Sequence, residues 1–441
     1  MVRVLLLSTY ELGHQPLHLA SPAAVLMSAG HDVMAVDLAI DRLGDEAIEW
    51  AEAVAISVPM HTALRLAAGV VDRCRRIRPD LPIALYGLYA GMNPDLDVDA
   101  MLVGEYEAGL LRWVGDTTGG GLAVDLGRQS FQVPERGLLP PLDAYAHLRT
   151  GDLHRVVGYV EASHGCRHRC RHCPIPAVYD GRYRIVGEET VVADVLAQVE
   201  AGAGHITFGD PDFLNGPAYA MAVLERCHRE VPEVTFDVTI KVEHLLRHSD
   251  LVRRLPGLGV LFAVSAFEST DDRTLLLLDK GHTVADMRAA MDLCRGVGLD
   301  LHPSWMPFVP WTAPGDVVDI FRFLDGHDLL TTTDPVQMSI KLLIPPGSLM
   351  LEVPEVAEAV GDFDPGALGY PWAFADPVAG ILQESLAGLA EEADAVGRDP
   401  VETLVAMWAV ALDAAGADAS EAQIPAGATV GRPRMTESWF C

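Results

Sequence analysis

The sequence predicts an α/β protein: an open parallel sheet first, then an incomplete (β/α)6 barrel, then a mostly helical C-terminal region. Three observations carry this. Short apolar runs alternate with amphipathic stretches over the first 130 or so residues and again from about residue 155, the pattern of βα units around parallel sheets. A proline-containing stretch without clear periodicity, VPERGLLPPLDAYAHLRTGDLHR, separates the two series. Beyond about residue 347 the runs lengthen to helical size. The expected domains are 1–135, 155–346 and 347–441.

The elements follow in order. VRVLLLS is a strand followed by a long loop, and a helix from about Pro22 closes at Gly30. DVMAVDLA and AVAISVPM are the second and third strands, and TALRLAAGVVDRCRRIRP is a helix stopped by Pro79. PIALYGLYAG is a fourth strand running into glycines, and AMLVGEYEAGLLRWV reads as strand, turn and helix. The second series has six strand-like runs: VVGYVEAS, HITFGD, TFDVTI, GVLFAVSAFES, LDLHPSWMPFV and VQMSIKLLIPP. Six units fall short of a closed eight-fold barrel, and their chemistry belongs at the C-terminal strand ends. In the first sheet the loops to watch follow the strands in the same way: 8–21, 57–61, 87–93 and 104–107.

Half of the 441 residues are hydrophobic, so large cores are expected and global disorder is not. No apolar run is long and uncharged enough to cross a bilayer, and MVRVLLLSTYELGHQP reads as a strand rather than a signal peptide. The expectation is a soluble, cytoplasmic protein without a membrane partner. A net charge of −30 disfavours nucleic acid, whose phosphates need basic surface.

The cysteines are unevenly spread. Cys74, Cys227, Cys294 and Cys441 are isolated, whereas Cys166, Cys170 and Cys173 fall within EASHGCRHRCRHCPIP. A cluster in a reducing compartment points to metal or catalysis, not to a disulfide framework. Three thiolates on one loop suit three corners of an iron–sulfur cubane, leaving the fourth iron for a small molecule. The competing reading is zinc, with His164, His168 or His172 as a fourth ligand. Paired C-x2-C units, common at zinc sites, are absent from the sequence.

The C-x3-C-x2-C spacing after a barrel's first strand resembles the radical SAM superfamily. That resemblance implies a [4Fe-4S] cluster on Cys166, Cys170 and Cys173, with S-adenosyl-L-methionine (SAM) chelated by the open iron and cleaved reductively. The position before the third cysteine, usually aromatic in the family, is His172, and the resemblance places it near the adenine. ITFGDPDF is similar to the second-strand motif that contacts the SAM amino group, which puts Gly209, Asp210 and Pro211 at the cofactor. FAVSAFESTDDRTLLLLDKGHT resembles the fourth-strand region of cobalamin-type members, with Ser265 and Glu268 as SAM contacts. A turn or cap is the bland alternative for Asp210, and a cap or surface ion pair for Glu268. Lys241 and Glu243 follow the third strand and face the same mouth. His302, Trp305 and Lys341 lie near strands five and six, Trp305 as core and a buried Lys341 as a candidate for a substrate carboxylate or phosphate.

The N-terminal layout is similar to the Rossmann-like, cobalamin-binding-type domain that precedes many radical SAM barrels. AISVPMHTA, LYGLYAGMNPD and VGEYEAG carry the likeness, with Gly87, Gly104 and Glu105 as the implied cofactor contacts. The D-x-H-x-x-G pattern is missing: STYELGHQPLHLASP has His14 and His18 at other spacings. Cobalamin is thus an optional third cofactor, and the alternative is a domain that only shapes the pocket. The opening LLSTYELGHQPLHLASPAA, the IPPGS run and the ending TESWFC resemble the group of radical SAM proteins named for a CUAEP or CCAEP tail. This implies a selenoprotein-like tail cut short at a UGA codon, with Cys441 as a catalytic redox or soft-atom ligand.

The function expected from all this is a radical SAM enzyme, transferase or related, modifying a small-molecule substrate with an external flavodoxin- or ferredoxin-type reductant. Methyl transfer, 3-amino-3-carboxypropyl transfer and arsenic-related chemistry all fall within it. The alternative is a non-enzymatic zinc or cobalamin-binding protein.

Overall fold

The computed structural model describes residues 1–117, 119–424 and 431–437; Cys441 and the expectations attached to it lie outside them. The N-terminal sheet is built from β1 (Arg3–Ser8), β2 (Asp32–Asp37), β3 (Ala53–Ser57), β4 (Ile83–Tyr86), β5 (Ala100–Gly104) and β6 (Gly121–Asp125). All neighbours are parallel in the order β2-β1-β3-β4-β5-β6. β3, β4 and β5 are buried throughout, as parallel strands covered on both faces must be. β6 is an exposed edge strand, and its GLAVD has no apolar run long enough to announce it. The strand order reverses between β1 and β3, so the crevice of this sheet opens at Ser8 and Ser57. Gly87 turns the chain at the end of β4 with φ +113°, and a Cβ there would press on the Val58 backbone at 3.2 Å.

The second sheet contains β7 (His147–Thr150), β8 (Leu153–Val160), β11 (His205–Phe208), β12 (Thr235–Thr239), β13 (Val260–Glu268), β14 (Asp300–Trp305) and β15 (Arg434–Met435). A separate ribbon pairs β9 (Ser163–Gly165) with β10 (Tyr183–Ile185). The order is β14-β13-β12-β11-β8-β7-β15, with β8 and β11 to β14 parallel and β7 and β15 antiparallel to their neighbours. This is the expected partial barrel with a hairpin added on the β8 side. Helices Glu188–Glu200, Pro217–Glu230, Val284–Val297 and Pro314–Gly326 connect or follow the parallel strands. The helix Val284–Val297 shows why boundaries fall where they do: Thr283 and Asp286 form a capping box, and Gly298 takes the left-handed conformation at its end.

The sixth run of the barrel differs from its sequence pattern. VQMSIKLLIPP forms a short 3-10 helix, Pro335–Ser339, and joins the sheet through one parallel bridge, Phe308 to Lys341. Pro335 cannot donate to a ladder, and Pro345 and Pro346 end the run. Lys341 is consequently exposed, and its proposed burial toward a substrate is corrected. Trp305 is core, meeting Phe267 and Phe323 edge-on.

In the C-terminal region, Leu382, Leu386, Leu404, Met407 and Trp408 from helices Pro377–Val396 and Pro400–Ala414 belong to the barrel's own hydrophobic core. No helix among the described residues is long and apolar enough to cross a membrane.

Candidate active site

The cysteine loop leaves the barrel after β8 and is closed at its base by the β9–β10 ribbon. Gly165 makes that exit possible: its φ is +74°, and a Cβ would lie 2.5 Å from Tyr179 and 2.6 Å from the Arg182 carbonyl. Asp210, just after β11, holds the start of the loop. One carboxylate oxygen accepts from the Ala162 N–H at 2.9 Å and the other from the Ser163 hydroxyl at 2.5 Å. Burial raises the Asp210 carboxyl to about 7, against the pull of those two bonds. Gly209 is there because Tyr159 is: a Cβ would fall 1.9 Å from its hydroxyl. Pro211 follows, half-buried. The Gly209–Pro211 turn thus props the loop from below.

Farther along, the Arg171 N–H donates to the Leu278 carbonyl at 2.9 Å and its guanidinium to Leu277 O at 2.8 Å. Cys166 and Cys170 are buried and Cys173 half-buried. Burial pushes the Cys166 thiol to about 11 and the Cys173 thiol to about 12, so metal must displace protons from them at neutral pH. Positive charge is close by. Lys241 Nζ lies 3.6 Å from Cys170 Sγ, as its position after the third strand foretold. Asn215 Oδ1 accepts from the Arg167 N–H at 3.1 Å and lies 3.7 Å from Cys166 Sγ.

Each loop histidine turns to a carboxylate. His164 sits between Glu105 at 2.9 Å and Glu161 at 3.3 Å. His168 faces Asp212 at 3.4 Å and Glu243 at 3.6 Å, and His172 bonds Glu268 at 3.0 Å. A Cys3His zinc site drawing on His164 or His172 would need that ring to abandon its carboxylate, and His168 is turned to Asp212 and Glu243.

Glu268 takes a left-handed backbone, φ +65°, at a bulge that ends β13, a strain of about 1–3 kcal/mol that concentrates at functional sites. Its carboxylate accepts from both His172 and Lys280 Nζ, each at 3.0 Å. Burial works against the charge, but Lys280 and His172 outweigh it and hold Glu268 well below the usual carboxylate range. Lys280 and Asp212 were not singled out as site residues in the sequence; the Lys-Gly after the fourth strand was the one available signal. Ser265 is fully buried, and its hydroxyl has no hydrogen-bond partner among the described residues, nor has His172 Nδ1. The orphaned ring nitrogen of His172, on the cysteine loop itself, suits a polar ligand such as SAM. His302 stacks on Phe262 at 4.4 Å, away from the loop.

The N-terminal sheet delivers a second cluster of groups to the same side. Glu105, buried at the end of β5, accepts from His164 and from the Tyr179 hydroxyl at 3.0 Å. Burial would lower His164, but Glu105 and Glu161 raise it to about 10. His14 stacks flat on Tyr159 with centroids 3.6 Å apart, and Tyr159 donates to Glu161 at 2.8 Å. Glu11 lies under His18 at 3.0 Å and raises it to about 9 against the effect of burial. Arg136 ties the linker to both sides, with a bidentate pair to Asp194 at 2.6 and 2.8 Å and a bond to Gln15 at 3.1 Å. Gly104 (φ +86°) lies so near the Asp125 carbonyl that a Cβ would meet it at 2.4 Å.

Residues 160–324 match the Radical SAM superfamily. The hopanoid C-2 methylase of Rhodopseudomonas palustris (strain TIE-1) is 26% identical over 251 residues, 53% of this chain and 45% of the methylase. The chain thus matches about half the length of that curated relative. Among solved structures, the cobalamin-dependent S-adenosylmethionine radical enzyme OxsB with aqua-cobalamin bound superposes with a TM-score of 0.67 at 13% identity, over 87% of this chain and 66% of OxsB. The radical S-adenosylmethionine methyltransferase TsrM from Kitasatospora setae, with tryptophan and a SAM analog bound, gives 0.64 at 16% identity, over 88% and 89%. At these identities the likeness is one of fold, and that fold is the parallel sheet followed by a partial barrel described above.

The residues present fit the cluster and SAM, by the donor set of three thiols and the orphaned ring nitrogen of His172. The N-terminal groups that resemble corrin contacts have protein partners here. Glu105 is committed to His164 and Tyr179, His14 lies against Tyr159, and Leu368 packs into the core of the N-terminal sheet. Gly87 and Gly104 are accounted for by backbone crowding within their own sheet.

Proposed function

We propose that the protein is a radical SAM enzyme that carries a [4Fe-4S] cluster on Cys166, Cys170 and Cys173 and uses SAM to modify a small molecule in a group-transfer reaction. The observation that carries this reading is the cysteine loop itself. Three thiols sit at the C-terminal mouth of a parallel barrel, tied down by Asp210 and Arg171. When bound, such a cluster supplies the single electron that breaks a carbon–sulfur bond of SAM; a flavodoxin- or ferredoxin-type partner is the fitting donor.

The chain's own residues do the rest. Lys241 places its ammonium beside Cys170 sulfur and would favour the reduced state of a cluster held there. His172 and Lys280 keep Glu268 ionised at the mouth, available to a cationic ligand such as the SAM ammonium or sulfonium. Ser265 offers a hydroxyl with no protein partner among the described residues. Gly209, Asp210 and Pro211 set the height of the loop over the barrel. The group-transfer class is supported by the methylase and methyltransferase names of the relatives, and no step is routed through cobalamin.

The test is anaerobic reconstitution, reduction and incubation with SAM, followed by mass spectrometry of the SAM-derived products. 5′-Deoxyadenosine, or methylthioadenosine from cleavage of the other bond, is expected from the wild type and absent from a C166A/C170A/C173A variant. Equal turnover by both would overturn the reading. Gel filtration after incubation with hydroxocobalamin reads the third cofactor: stoichiometric retention of corrin would place it with the cluster and SAM, and its loss would leave the N-terminal sheet as a shaper of the pocket.

A further inference from the structure

Beneath the cysteine loop three potential ligand atoms converge that the reading above does not use. They come from three places: His168 on the loop, Asp212 after β11 and His244 after β12. His168 Nε2, Asp212 Oδ2 and His244 Nδ1 all lie within 4.8 Å of one another. The individual separations from Asp212 Oδ2 are 2.6 Å to His244 and 3.4 Å to His168. Despite this closeness, none of the three atoms has an aligned hydrogen-bond partner among the described residues. Asp212 is fully buried and His244 nearly so. Asp212 pairs by charge with both imidazoles, and three buried donor atoms converging this closely without an aligned hydrogen bond are also the arrangement of ligands around an ion.

We propose that His168, Asp212 and His244 bind one divalent transition-metal cation of the zinc–iron(II) class, at a site distinct from the cluster cysteines. Two imidazoles and a carboxylate are a donor set that such borderline cations prefer, and three protein ligands leave a position open. Ligands about 2.0 Å from a cation are separated by about 2.8 Å in octahedral and 3.3 Å in tetrahedral sites. The observed 2.6 and 3.4 Å bracket those values, so small adjustments suffice. The surroundings agree. His168 Nδ1 faces Glu243 at 3.6 Å, as metal-bound imidazoles present their second nitrogen to a carboxylate. Asp212 offsets half of a dication's charge, and Glu243, which also pairs with Lys241 and Arg247, faces the site through His168. The consequence is mechanical: the ion would pin His168, between Cys166 and Cys170, to the ends of β11 and β12.

The test uses the full, cluster-loaded protein. After exposure to Zn2+ and removal of weakly held metal, elemental analysis is expected to show about one zinc per chain beside the cluster iron. Zinc K-edge X-ray absorption is expected to show nitrogen and oxygen at about 2.0–2.1 Å and no sulfur at about 2.3 Å. Asp212→Asn and His244→Gln should lose the zinc and keep the iron. Glu243→Gln, which removes no ligand, should weaken zinc affinity by about 10–100-fold, and it decides the matter if either ligand variant fails to fold. No retained zinc or iron(II) beyond the cluster would overturn the proposal. So would a sulfur shell, which would mean zinc on the cysteines, or unchanged affinity in Glu243→Gln. None of these outcomes depends on SAM cleavage, so failure here and failure of the enzymatic reading are separable.

Discussion

Replacing Lys280 by methionine removes one of the two cations that hold Glu268 and leaves the aliphatic stem in place. The Lys280 Nζ to Glu268 Oε1 distance is 3.0 Å, and both side chains are almost wholly buried. At an effective dielectric constant of about 20 the attraction is about 5 kcal/mol. Taking both charges out of water costs several kcal/mol, so the intact pair adds little net stability. Removing one partner alone is different, because the other charge stays buried, typically at a cost of about 3–5 kcal/mol. His172 still donates to the same carboxylate, which places K280M near the lower end, about 3 kcal/mol. The double variant E268Q/K280M has no stranded charge and is expected to recover most of that loss. The assay is urea unfolding of the anaerobic protein at pH 7, followed by far-UV circular dichroism. The sign with pH also follows. Glu268 is held below its ordinary value, so its contribution is present above about pH 4.5 and is lost as pH falls through the depressed value. Without Lys280 the depression shrinks, so the acid loss is smaller and is complete at a higher pH. A K280M cost under about 1 kcal/mol, or a double variant no more stable than K280M, would refute the reasoning.

Serine at Cys166, Cys170 or Cys173 should cut cluster iron from about four per chain to well under half of that and abolish SAM cleavage, as read by iron and sulfide analysis and product assay. Gly209→Ala should cost about 1–3 kcal/mol in the same unfolding assay, because the new Cβ meets Tyr159 at 1.9 Å while Glu161 holds that hydroxyl. His18 is raised to about 9, so the stability it lends is present below about pH 6.5 and is lost as pH rises through 9; His18→Gln should flatten the stability profile between those limits. Glu105→Gln keeps the shape but loses the charge facing His164, and hydrogen exchange of residues 163–185 should quicken; unchanged exchange would show that the loop does not lean on the N-terminal sheet.

What could be read in the sequence was what repeats or sits close together. β1, β3 and β13 are nearly continuous apolar runs, and buried parallel strands have no other pattern to offer. The cysteine loop was legible because its three cysteines lie within eight residues. Lys241 was placed correctly because it follows β12 directly. The failures have a common cause, tertiary context. Lys341 is exposed because prolines keep its segment out of the sheet. β15 is two residues long and exists through its pairing with β7. Asp212 and His244 meet His168 only because β11 and β12 are neighbours, which no local pattern announces.

The N-terminal domain poses the same lesson in the other direction. Glycines and a Gly-Glu pair at strand ends suggested cofactor contacts, yet in the folded chain their roles are internal. Gly87 and Gly104 relieve crowding from neighbouring backbone. Glu105 spends its carboxylate on the first histidine of the cysteine loop and on Tyr179, which flanks the same loop. His14 covers Tyr159, the residue whose hydroxyl forces glycine at 209. The crevice of the first sheet therefore acts on the second through direct side-chain contact, and a change at Glu105 or His14 reaches the loop directly. A motif at a strand end says where a sheet can bind something; which partner it binds, a corrin or the neighbouring barrel, is decided by what the rest of the chain brings to that end.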